Sequence, residues 1–81
     1  MTYLSKARNH VERIDYYFSH AGLAGYSQAH YHQVQLEELL QRAYRSQANK
    51  GDVPVIQALI ESARPKMQEM KRRETEDTRQ L

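Results

Sequence analysis

Four of the six tyrosines, three of the four histidines and the only phenylalanine of this chain fall between residues 16 and 32. Imidazoles can ligate metals, move protons near neutral pH and switch charge there. Tyrosine combines a large apolar ring with a polar tip. The first chemistry to test is therefore a metal site. His30 and His32 are two residues apart, which on a helix points them about 200° from each other. One ion cannot take both, and metal-binding helices space their histidines by four, as in HExxH. His20 could reach His30 with Asp15 as a further ligand only if residues 21 to 29 fold back as a corner. The chain has no cysteine, so thiolate sites and disulfides are impossible. No metal and no cofactor are expected.

Catalysis finds no constellation either. Ser19, Ser27 and Ser46 serve more naturally as caps or turn residues than as nucleophiles. Glu37 and Glu38 are adjacent and point to different parts of a helix surface. Glu12 and Asp15 share a face, where charged residues mostly meet solvent. No nucleophile, base and orienter come together. Gly22 and Gly25, the only close glycines, form no phosphate loop. The expected protein is not an enzyme.

The elements that must position these residues are helical. Thr2 can cap a first helix in which Leu4, Ala7, Val11, Ile14, Phe18 and Ala21 recur at spacings of three and four, the pattern of a buried stripe. Tyr3, His10 and Tyr17 fall seven apart beside that stripe, as a row on its flank. Gly22 and Gly25 can end the helix. Ser27 is placed to cap a second helix with Ala29, Leu36, Leu39, Leu40 and Ala43 inward. Tyr31 and Val34 face away from those leucines, and Tyr26 falls in the turn. Asn49-Lys50-Gly51-Asp52 marks a second break, with Pro54 in the first turn of a third helix. That helix shows Ile56, Leu59, Ile60, Ala63, Met67 and Met70 on one face, with Pro65 interrupting its hydrogen bonds. The expectation is an all-α, compact three-helix bundle of residues 1–73. Its helices cover about 3–20, 27–47 and 53–73, the third kinked or split at Pro65, and a flexible charged tail covers 74–81.

Length and charge bound the function. The 81 residues support one small core, so docking on a partner or dimerising would relieve a shortage of buried surface. The net charge is +2, too small to imply nucleic acid by itself. Its distribution is uneven, with Arg64, Lys66, Lys71, Arg72 and Arg73 opposed by the single acid Glu69 between residues 64 and 73. Such a stretch is either a solvated helix face or a phosphate-facing patch. No apolar run approaches the ~18 residues of a membrane helix, and the N-terminal residues lack a signal-like apolar stretch. A soluble cytoplasmic protein without membrane contact is expected.

Two stretches are similar to pieces of the theta subunit family of bacterial DNA polymerase III. One is Val53-Pro54-Val55-Ile56-Gln57-Ala58-Leu59-Ile60-Glu61 with a second proline at Pro65. The other is Arg13-Ile14-Asp15 followed by Ala21-Gly22-Leu23-Ala24. They cover less than half of the chain, which places the 27–47 helix where that family has a short segment. The resemblance implies a small non-catalytic helical subunit held on a replication exonuclease. It transfers no site residue.

Independently of that resemblance, the residues indicate a binding module. The contact surface is expected at Tyr16, Tyr17, Tyr26, His30, Tyr31 and Val34, docking on a larger protein or complex to modulate or inhibit it. The alternatives are a nucleic-acid-associated accessory protein using Arg64, Lys66, Lys71, Arg72 and Arg73, and a homodimeric structural module.

Overall fold

The computed structural model describes residues 2–20 and 25–80, with side chains through residue 76. It is a three-helix bundle: α1 Tyr3–His20, α2 Gly25–Arg45 and α3 Val53–Gln80, with a 3-10 helix at Gln47–Asp52 before α3. All three helices pack against one another. Thr2 caps α1 as expected: its Oγ1 accepts from the Ser5 N–H at 3.1 Å. Only residues 21–24 separate α1 from α2. Four residues span roughly 14 Å, against about 27 Å for an 18-residue helix, so α2 returns antiparallel along α1. Contacts between α1 and α3 advance together, Asp15 with Lys66 and Phe18 with Arg73, which makes those two helices parallel.

The stripes read from the sequence meet in one core. Ala7, Ile14, Ala29, Leu36, Leu39, Ala43, Ile56, Ile60, Ala63, Met67 and Met70 are all buried in it. Leu4, Val11, Phe18, Leu40 and Leu59 are partly buried around them. Four of these buried residues are alanines, which let helix backbones approach closely but contribute little transfer energy. Ile14, Leu36 and Ile56, one from each helix, are the largest fully enclosed side chains.

Four boundaries differ from the expectation. The second helix already includes Gly25, so Ser27 lies inside it and Tyr26 is a helical residue, not a turn residue. The helical pattern simply extends N-terminal to the serine. It ends at Arg45, where Ser46 adopts an extended conformation, and Asn49 Nδ2 donates to Ser46 Oγ at 2.9 Å. The third helix is unbroken through Pro65. Pro65 and Glu61 are both exposed, so the carbonyl deprived of its N–H partner can meet water, while Ile60, Ala63, Met67 and Met70 hold the buried side in phase. The same helix continues to Gln80, past the tail boundary at Glu74. Charge supplies what apolar periodicity does not. Arg72 pairs with both Glu69 and Glu76, and Arg73 pairs with Glu69, at the three- and four-residue spacings that support an exposed helix. Ala21, Gly22 and Leu81 lie outside the described residues.

Truncating Leu36 to Ala should cost about 2–5 kcal/mol in urea unfolding, whereas Val55→Ala, at an exposed site, should stay within about 0.5 kcal/mol. Equal effects would place the core elsewhere. The end of α3 should also depend on pH. Hydrogen bonding to Arg72 holds the Glu69 carboxyl below its ordinary 4.5. A depressed acid contributes its stability in full above that ordinary value and loses it as pH falls through the lower folded one. Amide protection factors, exchange rates corrected for the intrinsic slowing of exchange in acid, should therefore fall in residues 70–76 on acidification below 4.5, and Glu69→Gln should show the lower protection already at neutral pH.

Candidate functional site

The row Tyr3, His10 and Tyr17 occupies the α1 flank that meets α2. There His10 Nδ1 lies 2.8 Å from His32 Nδ1, the two rings 5.1 Å apart and tilted by 45°. Tyr17 stacks on His32 at 6.0 Å, and Tyr31 meets the same imidazole edge-on at 5.2 Å. Tyr17 also takes Tyr16 edge-on at 5.5 Å. Tyr16 in turn stacks on His20 at 4.9 Å, whose Nδ1 lies 3.1 Å from the Tyr16 carbonyl oxygen, a bond in which the ring N–H donates. The result is a continuous ridge: His20, Tyr16, Tyr17 and His32 in line, with His10 and Tyr31 branching from His32.

The ridge is dry on one side and wet on the other. Tyr17 packs against the core, while Tyr16 and Tyr31 are 54% and 58% exposed. Burial lowers the His10 pKa. His32 is lowered by burial first and then by the nearby charges of His10 and Arg13. Both rings are thereby biased to the neutral form, which an N–H···N contact requires of the accepting ring.

Of the residues expected at the contact surface, Tyr16, Tyr17 and Tyr31 are brought together, joined through His32. Tyr26 and His30 are not part of that ridge. They stack on each other at 5.7 Å on the other flank of α2, since His30 and His32 diverge by about 200° on one helix. Tyr26 packs partly into the core and lines a shallow groove against α3 with Gln33, Arg64, Met67, Gln68 and Lys71. Val34, 36% exposed, lies between the two groups by helical angle. His10, His20 and His32 are the members that the sequence-based surface lacks. The seven-residue row containing His10 carries the signal for that flank, but no pattern within α1 reveals which α2 residue lies opposite.

The imagined His20–His30–Asp15 ligand set does not assemble. Each of the three has another partner, and among the described residues no three potential ligands cluster. The basic stretch is also largely engaged. Arg64 pairs with Glu61 and Lys66 with Asp15. Arg72 and Arg73 share Glu69, and Arg73 lies over the Phe18 ring at 5.1 Å. Lys71 is the one cation of the five with no carboxylate partner among the described residues. No described helix is long and apolar enough to cross a membrane.

No protein family, curated protein or solved structure matches this chain. The reading of its surface rests on its own geometry.

Because four of the five cations face carboxylates of the same chain, binding to a labelled DNA duplex should be weak. Its affinity should fall with salt at a logarithmic slope near −1, about one phosphate's worth. A slope of about −4 would mean that the internal pairs open and that the whole basic stretch faces phosphate.

Proposed function

We propose that this chain is a small, non-catalytic helical binding protein that docks on a larger protein and modulates or inhibits it through the ridge along α1 and α2. The observation that carries this reading is the pair of exposed rings, Tyr16 and Tyr31, held from below by a chain of stacked and edge-on partners. Rings fixed in this way contribute large contact area at little cost in conformational entropy, and interface hot spots are enriched in tyrosine. The hydroxyls and imidazole nitrogens along the ridge add donors and acceptors for a polar rim. The partner surface that fits is therefore apolar at its centre with hydrogen-bonding groups around it. The internal ion pairs of α3 favour this reading over phosphate binding by Arg64, Lys66, Lys71, Arg72 and Arg73. A homodimer formed through the same ridge is the second reading, and it is supported by the modest size of the core.

Affinity capture with the tagged chain from its native host, followed by mass spectrometry, should identify a partner. The purified pair then gives the test. Tyr31→Ala should weaken binding roughly 30-fold, the equivalent of about 2 kcal/mol, and Tyr16→Ala should act in the same direction. Tyr44→Ala, at a ring 51% exposed but outside the ridge, should leave binding unchanged. Unaltered capture by the Tyr16/Tyr31 double variant would remove the ridge from consideration. Light scattering that shows a dimer dissociated by Tyr31→Ala would select the homodimer.

A further inference from the structure

The contact between His10 and His32 is unusual among the polar contacts of this molecule. It joins two different helices, and both of its members are groups that can gain a proton near neutral pH. At 2.8 Å between the two Nδ1 atoms, one nitrogen must carry the hydrogen and the other must offer its lone pair. Both rings are only partly exposed. His32 is further held between Tyr17, stacked at 6.0 Å, and Tyr31, edge-on at 5.2 Å.

We propose that the His10–His32 contact is a two-step proton switch in the seam between α1 and α2, in which one proton keeps the rings joined and a second drives them apart. The first proton enters at the free Nε2 of the ring that donates. The pair is then an imidazolium whose N–H points at a neutral imidazole, a charge-assisted and hence stronger hydrogen bond. The second proton must occupy the accepting Nδ1. Two N–H groups then point at each other across a hydrogen-bond distance, and two positive charges lie side by side. One ring has to turn out.

The surroundings reinforce the second step. Arg13 on α1 acts on His32 with the same sign as His10 does. Tyr17 and Tyr31 also rest against His32. Burial for His10, and burial with the charges of His10 and Arg13 for His32, all lower the affinity for a proton, and among the described residues no carboxylate is paired with either ring. Because Tyr17 and Tyr31 both rest on His32, its departure removes the support of the ridge centre. Release of a bound partner on acidification is the consequence if the ridge is the contact surface. The switch itself does not depend on that.

The test uses the free chain. Ring 15N and 1H resonances of the histidines are followed by NMR from pH 8 to pH 4.5, with melting temperature measured alongside. Two resolved steps are expected for the His10–His32 pair. The Tyr17 and Tyr31 ring resonances should move with the second step and not with the first. Melting temperature should fall mainly through the second step, beyond the fall seen in His10→Phe, which has no pair to split. If that variant fails to fold, His32→Gln serves as the reference, and the wild-type resonances decide the question by themselves. A single step for both rings, or tyrosine resonances that follow the first proton, would overturn the switch. So would a melting temperature whose pH dependence is identical with and without the pair. A partner whose affinity ignores pH while the two steps are present would refute only the ridge as the docking surface.

Discussion

The constraint on which the rest of this molecule depends is the thinness of its core. Three helices close around Ile14, Leu36 and Ile56, and four of the eight other buried core residues are alanines. Alanine lets the helices approach closely, but each one buries little more than a methyl group, worth roughly 0.8 kcal/mol on a transfer scale. A core of this kind leaves a small net stability, because the entropy of ordering the chain grows with every residue regardless of its size. Side chains at the edge must then contribute as well. Tyr3, Tyr17, Phe18 and Tyr26 all pack partly against the core, each covering apolar surface that small residues leave open. The rings are therefore the margin of the core, and Tyr17 among them also belongs to the ridge proposed as a contact surface.

Much of this arrangement was legible in the residue order. Apolar spacings of three and four identified Ala7, Ile14, Ala29, Leu36, Leu39, Ala43, Ile56, Ile60 and Ala63 as inward positions, and all are buried. Met67 and Met70 continued that face beyond Pro65 and are buried too. Of the kink or split expected at Pro65, the split does not occur. A break at one exposed carbonyl is local, whereas the apolar face on both sides of Pro65 acts over several turns. The end of α3 misled for a related reason. Periodicity of apolar residues reports burial, and residues 74–76, just after Arg73, are helical and exposed. Its support lies in the charge spacing of Glu69, Arg72, Arg73 and Glu76, a signal of the same three- and four-residue period written in another alphabet.

The surface was legible only within each helix. Tyr31 could be placed outward because its own helix supplies the reference, and Tyr3, His10 and Tyr17 could be aligned for the same reason. The grouping of Tyr26 and His30 with Tyr16 and Tyr17 failed because closeness in sequence around a glycine-bearing corner is not closeness in space. Residues on the two flanks of α2 separate toward α1 and toward α3. The His10–His32 contact joins positions 22 apart and depends on the register of one helix against another. Register is a property of the packed pair, set by how Ile14 and Leu36 interlock with their neighbours, and no single-helix pattern encodes it.

The two seams of α1 are closed by different physics. Toward α3 it is joined by an ion pair, Asp15 with Lys66, and by the Arg73 guanidinium over Phe18. Toward α2 it is joined by stacked rings and by one imidazole-to-imidazole hydrogen bond. Exposed ion pairs weaken with salt and hold little energy singly, while ring contacts are largely indifferent to salt. Histidine is the only side chain that ordinarily changes charge between pH 5 and 8. Salt therefore acts first on the α1–α3 seam, and mild acid acts on the α1–α2 seam. A bundle with a larger core would absorb either disturbance without consequence. In one this thin, the seam that carries the imidazoles is also the seam that carries the exposed tyrosines, and under the proposed switch a change in proton number there would reshape the surface.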